Sequence, residues 1–97
     1  MFARIVSIHL KPNILNDFTQ VFEKDVVSML RKQHGFRDEI ALAAEGGTNV
    51  TAISLWDTQE QADAYAVSTY SDVLKALDKF LDGPPKVRVS NVINSTF

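Results

Sequence analysis

Residues 36–56 read FRDEIALAAEGGTNVTAISLW. From Phe36 to Ala44 the side chains alternate, with Phe36, Asp38, Ile40 and Leu42 set against Arg37, Glu39, Ala41 and Ala43, and Asn49 to Trp56 resumes the strand pattern. Between them Glu45-Gly46-Gly47 supplies a turn, because glycine enters the positive-φ region that a tight reversal requires. The stretch is a hairpin, and the segments on either side of it decide what it belongs to.

Upstream, Ala3 to Leu10 places Ile5, Val6, Ile8 and Leu10 on both faces of a strand, the mark of one covered on two sides, and Pro12 ends it. Asn13 stands where it can cap a helix in which Ile14, Phe18, Val21, Phe22, Val26, Met29 and Leu30 recur at helical spacing. Arg31 and Lys32 suit the negative end of that helix, and His34-Gly35 stops it. Downstream, Thr58 and Gln61 form a capping box, and Ala62, Ala66, Tyr70, Val73, Leu74, Leu77 and Leu81 mark one face of a single second helix. Gly83-Pro84-Pro85 breaks it, Val87 to Ile93 reads as a fourth strand, and Asn94 to Thr96 is a polar tail. The order strand-helix-strand-strand-helix-strand predicts an α+β, ferredoxin-like βαββαβ fold: one domain over residues 1–97, with a four-stranded antiparallel sheet and both helices on one face.

Such a two-layer fold leaves one sheet face uncovered. On the first strand that face is either Ile5-Ser7-His9 or Val6-Ile8-Leu10, and on the third either Thr51-Ile53-Leu55 or Val50-Ala52-Ser54-Trp56. Every combination exposes a mostly apolar patch, larger than a soluble monomer usually shows, so the sheet is expected to pair with that of a second copy.

Composition narrows the function classes. The chain of 97 residues is 45% hydrophobic and 23% charged, close to the globular average, which argues against disorder. Ten basic against twelve acidic side chains, a net charge of −2, give no long-range attraction for nucleic acid or anionic lipid. An RNA-recognition module of the same topology needs mid-strand aromatics for base stacking, and Ile5 to His9 and Val50 to Leu55 have none. The absence of cysteine removes disulfides and thiolate chemistry. Arg4 and His9 interrupt the apolar start and Lys11-Pro12 follows it, unlike a signal peptide, and no apolar run approaches the roughly 20 residues of a membrane span. A cytoplasmic protein is the expectation.

The third strand closes on Ile53-Ser54-Leu55-Trp56, and the following helix contains Ala64-Tyr65-Ala66-Val67-Ser68-Thr69-Tyr70. With this element order the chain resembles the dimeric α/β-barrel superfamily, and within it the antibiotic-biosynthesis monooxygenase domains, including quinol-monooxygenase-like members. Many relatives have the strand-terminal Trp and a helix reading His, two residues, Ser, one residue, His. Trp56 and Ser68 fall on that pattern, while Tyr65 and Tyr70 sit where histidines are common. The resemblance implies a homodimer and cofactor-independent oxygen chemistry on a phenol- or quinol-like substrate, with no metal or flavin. The two missing histidines depart from the pattern at its acid-base step. The lack of any histidine in the second helix also argues against the haem-degrading relatives.

Five residues are candidates for a site. Trp56 could wall an aromatic pocket and donate one hydrogen bond, or simply anchor the helix at the core edge. His9 is the side chain best suited to take a phenolic proton near neutrality, although a strand histidine also serves as a structural group bonded to backbone or water. Tyr65 and Tyr70 lie about 140° apart on a continuous helix, so only one is expected to face a pocket, and Tyr70 is in the apolar stripe. Its hydroxyl needs a buried partner, which a substrate or the protein could supply. Ser68 enters through the resemblance alone. Asp57, Glu60 and Asp63 cluster at a helix start, where carboxylates complement the dipole, and no metal site is expected. Three functions fit: a cofactorless monooxygenase, a dimeric module that binds a small aromatic ligand without turnover, and an interaction dimer with a collapsed pocket.

Overall fold

In the computed structural model, which describes residues 1–96, the strands are β1 (Phe2–His9), β2 (Phe36–Ala43), β3 (Asn49–Trp56) and β4 (Lys86–Asn91). They form one antiparallel sheet in the order β2-β3-β1-β4. This is the predicted ferredoxin-like arrangement, with each half of the chain contributing a strand-helix-strand unit split by a strand from the other half. The helices all lie on one face. Phe2, Arg4, Val6 and Ile8 of β1 point toward them, in register with Trp56, Ser54, Ala52 and Val50 of β3. No helix among the described residues is long and apolar enough to cross a membrane.

The first helical layer is α1 (Leu15–Val21), a π-helical turn (Phe22–Val26) and α2 (Val27–Arg31), which bury Phe18, Phe22, Val26 and Leu30. Asn13 does not cap it. The residue takes the left-handed conformation at φ 58°, which asparagine tolerates, and so turns the chain away from the strand; the cap position falls to Ile14, with no side-chain hydrogen bond.

The expected single second helix is two. Thr58 Oγ1 caps α3 (Gln59–Ser68) by accepting from the Gln61 amide. The helix then breaks at Thr69, whose φ of −125° and ψ of −27° leave the helical region, and α4 (Tyr70–Leu77) continues at a new angle into a 3-10 turn (Asp78–Phe80). Gly35 lets the chain pass beneath α3: its φ is 81°, and a Cβ there would collide with the Gln61 side chain.

The bulge at the start of β2 has consequences for the site. Arg37 is the extra residue between Phe36 and Asp38, so Phe36 shares a face with Glu39, Ala41 and Ala43 rather than with Asp38, Ile40 and Leu42. The more apolar half of the β2 alternation is therefore turned away from the helices. Ile40 and Leu42 are 48% and 50% exposed on the open face. β4 ends at Asn91, two residues before the expected boundary, and the Val92 amide then bonds the Met1 carbonyl at 2.9 Å.

Candidate active site

Register alone builds the floor of a site. Arg4 pairs with Ser54, and Ser54 with Glu39, so these three polar residues form a row across β1, β3 and β2 on the helix-covered face. Above the row, between the sheet and the helices, lies a narrow cavity of about 40 Å³ that opens to solvent on one side. Val6, Ile8 and Ala52 of the sheet, Phe22 and Val26 of the π-helical turn, and Val73 and Leu77 of α4 make its walls apolar. Tyr65 from α3 and Tyr70 from α4 complete them.

The break at Thr69 explains why both tyrosines are present. On a continuous helix they would diverge, but the change of axis brings their ring centroids to 6.1 Å. The expectation that only one faces the pocket is therefore corrected. Arg4 lies against both rings, its guanidinium carbon 5.4 Å from the Tyr65 centroid and 4.7 Å from that of Tyr70, within cation–π range. It is 6% exposed.

Two buried polar atoms in this lining, Glu39 Oε2 and the Tyr70 hydroxyl, have no hydrogen-bond partner among the described residues. Such atoms are rare in folded proteins and mark places where something other than the chain itself is accommodated. Burial, reinforced by the neighbouring Asp38 carboxylate, pushes Glu39 up to about 7. Burial also pushes Tyr65 up to about 12 and raises Tyr70, although the Arg4 charge opposes both shifts. Near neutrality the two phenols are thus hydrogen-bond donors, and Glu39 is the group poised to exchange a proton.

The other candidates lie outside this lining. Trp56 is 0% exposed: its indole N–H donates to Ser54 Oγ at 2.9 Å, and its ring packs between Phe36 and Tyr65 at centroid distances of 5.6 and 4.9 Å. It supports the wall from behind. Ser68 is exposed and donates to the Ala64 carbonyl at 2.8 Å, one turn back in α3. His9 is exposed on the open sheet face, with Nδ1 2.9 Å from Asn49 Oδ1 and Nε2 3.7 Å from Asp82 Oδ2. Five steps along the strand, about 17 Å, separate it from Arg4. No cluster of three His, Asp or Glu residues able to hold a metal ion occurs among the described residues.

Sequence reasoning missed Arg4 and Glu39. An arginine amid the apolar residues of a first strand is a signal that could have been used. Glu39 offers none, because its inward direction depends on the bulge.

No family model matches the chain, and no curated protein matches it. Solved structures do. A Nitrosomonas europaea protein provisionally described as an antibiotic biosynthesis monooxygenase superposes with TM-score 0.79 at 16% identity, covering 97% of this chain and 100% of that one. A Streptomyces coelicolor monooxygenase, from the gene ActVA-Orf6 and in complex with nanaomycin D, gives 0.80 at 20% identity over 99% and 90% of the two chains. SnoaB, a cofactor-independent oxygenase from Streptomyces nogalater, gives 0.81 at 11% identity over 98% and 95%. The fold is that of these monooxygenases. It is shared also by a Nitrosomonas europaea protein of unknown function, so chemistry has to be argued from the cavity rather than from the likeness.

Proposed function

We propose that the protein is a cofactor-independent monooxygenase that oxidises a small phenol- or quinol-like aromatic in the cavity between sheet and helices, and that it works in the cytoplasm. The observation that carries this reading is the pair of buried, unpartnered polar atoms, Glu39 Oε2 and the Tyr70 hydroxyl, in one apolar cavity beside Arg4.

In this reading the substrate hydroxyl gives its proton to the Glu39 carboxylate. The resulting phenolate is stabilised by hydrogen bonds from the Tyr65 and Tyr70 hydroxyls. It passes one electron to O2, and the phenoxyl radical and superoxide combine to form a C–O bond at a ring carbon that still bears hydrogen. Protonated Glu39 returns its proton to the outer peroxide oxygen. Loss of the ring C–H proton as the O–O bond breaks leaves a quinone carbonyl, and the departing oxygen becomes water. Phenol and O2 thus give quinone and water, with all four electrons supplied by the substrate, so no external reductant is required.

Oxygen uptake with a panel of naphthols and polyphenols is the test. Uptake that matches substrate loss one to one and survives chelator treatment is the expected result. Strict dependence on added iron or flavin would overturn it. A second reading, a module that binds an aromatic ligand without turnover, is favoured by the raised tyrosines, which supply donors where helix histidines would supply bases. Tight binding across the panel with no oxygen uptake would select it.

The active form we propose is a homodimer joined through the open sheet face. Ile5, Ile53 and Ile40 form a cross-strand row there, and Leu42 extends it. A second copy of the same face would cover this patch, burying on the order of 1,200 to 2,000 Å² or more. Sedimentation at micromolar concentration should give twice the chain mass of 10.8 kDa.

A further inference from the structure

The Arg4 side chain is mostly buried, yet its guanidinium end stays open to the cavity and has no counter-ion among the described residues. No carboxylate among the described residues lies within ion-pairing distance of it, and its guanidinium makes no hydrogen bond to them. The faces of Tyr65 and Tyr70 offset part of the cost of burial, but ring faces leave the fork of N–H donors unused. A planar fork of donors in an apolar surrounding is matched best by a carboxylate or a similar planar anion, which it can bind through two parallel hydrogen bonds.

Glu39 is not that anion. It stands at the far end of the same row, with Ser54 between, two strand spacings or about 10 Å from Arg4 at the Cα atoms. Between the two ends the floor is low, because Ser54 and Ala52 are small. The ends differ in what they accept. The Arg4 end calls for negative charge, whereas the Glu39 end, beside Asp38, repels it and suits a group that can give up a proton.

We propose that the cavity selects a flat hydroxylated aromatic acid, its anionic group held by Arg4 and its phenolic hydroxyl directed along the sheet row to Glu39. The inference rests on the reading above only in taking this cavity as the ligand site; it adds the charge, the shape and the direction of the ligand. It needs no turnover to be tested.

Titration calorimetry at pH 7 with 6-hydroxy-2-naphthoate, its methyl ester and 2-naphthol separates the possibilities. The acid should bind about tenfold or more tighter than the ester. Arg4→Met should cut that preference to about threefold or less, and Arg4→Gln, polar and better tolerated should the Met variant fail to fold, should do the same. Glu39→Gln should keep the preference for the acid, since it leaves the Arg4 end intact. Equal binding of acid and ester would overturn the inference while leaving the proposed oxygenase standing, as oxygen uptake with neutral phenols would show. A preference that survives both Arg4 variants would also overturn it. If none of the three binds in the millimolar range, both the inference and the ligand site fall together.

Discussion

On the helix-covered face of the sheet, β1, β3 and β2 set Arg4, Ser54 and Glu39 side by side; one residue further along, on the open face, the same strands set Ile5, Ile53 and Ile40 side by side. A protein governed only by solubility would have these rows the other way round. Charge on the covered face costs desolvation and is retained where a ligand or a reaction uses it. Isoleucine on the uncovered face is retained where another surface excludes water from it. The polar row therefore points to chemistry within one chain, and the apolar row points to contact between chains.

The sharpest way to break the first half of that comparison is Glu39→Gln. If Glu39 is the base, the wild-type rate should rise with pH through an apparent pKa near 7 as the carboxylate forms, and the variant should lose about 10²- to 10⁴-fold in kcat together with that rising limb. Stability should move the opposite way. Glu39 has a raised pKa in the folded state, about 7 against the 4.5 of a freely exposed carboxyl, so the folded form holds its proton to higher pH than the unfolded form does. Stability then falls as pH rises from about 4.5 to about 7, and the loss is complete above that window. Glutamine never ionises. Thermal melts should show the variant more stable than wild type at pH 8, by on the order of 1 kcal/mol after allowing for solvent screening, with little difference at pH 4.5. A variant equally active, or less stable at pH 8, would remove Glu39 from the role.

The second half is tested by Ile40→Lys combined with Leu42→Lys. Both positions are half exposed in the single chain, so the fold should survive while the apolar face becomes charged. Sedimentation should shift from the dimer to the 10.8 kDa monomer at micromolar concentration. A dimer that persists would place the interface elsewhere.

Much of this fold is legible in the sequence, for reasons that are local. The Gly46-Gly47 turn and the Thr58 cap each act within a few residues, and helical spacing at Phe18, Phe22, Val26 and Leu30 marks the buried stripe directly. The second helical segment, by contrast, ends at Leu77 before Gly83-Pro84-Pro85 is reached, and Leu81, expected on its face, is extended and bridges Leu10. The site is less legible because it depends on two irregularities. The Arg37 bulge inverts the phase of β2 and turns Glu39 inward, and the Thr69 break rotates α4 so that Tyr70 joins Tyr65. Neither position carries glycine or proline, the residues that announce a change of direction. Periodicity assumes a uniform strand and a uniform helix, and at both places the chain departs from one. Trp56 shows the converse: a large aromatic at the end of a core strand is legible as buried, but the register that places Tyr65 in front of it is set by the helix.

Trp56→Phe measures how far the wall depends on its support. The indole hydrogen bond to Ser54 and a fully buried volume are both lost, so stability should drop by about 1 to 3 kcal/mol. Ligand affinity should change by less than the stability loss, since Tyr65 rather than Trp56 faces the cavity. A normal melting temperature with binding abolished would put the indole in contact with the ligand.

The smallest effect is expected at His9. Imidazole is the commonest general base of enzymes working near neutrality, and that is the argument for giving His9 a chemical role. Position argues otherwise. The ring is exposed at the end of the open face, beside Asn49 and Asp82, and the sheet itself lies between it and the cavity, with about 17 Å of strand separating it from Arg4. General-base catalysis requires hydrogen-bond reach or a single bridging water, which this separation does not allow. Glutamine keeps a polar side chain of similar reach, so His9→Gln should preserve the bond to Asn49 and leave stability within about 0.5 kcal/mol. The rate should stay within about twofold of wild type, and the pH profile should keep its rising limb near 7. A hundredfold loss of kcat with that limb erased would locate the base on the open face, where a second copy of the chain could bring His9 to a site that one chain alone does not form, and the division between a chemical face and a contact face would no longer hold.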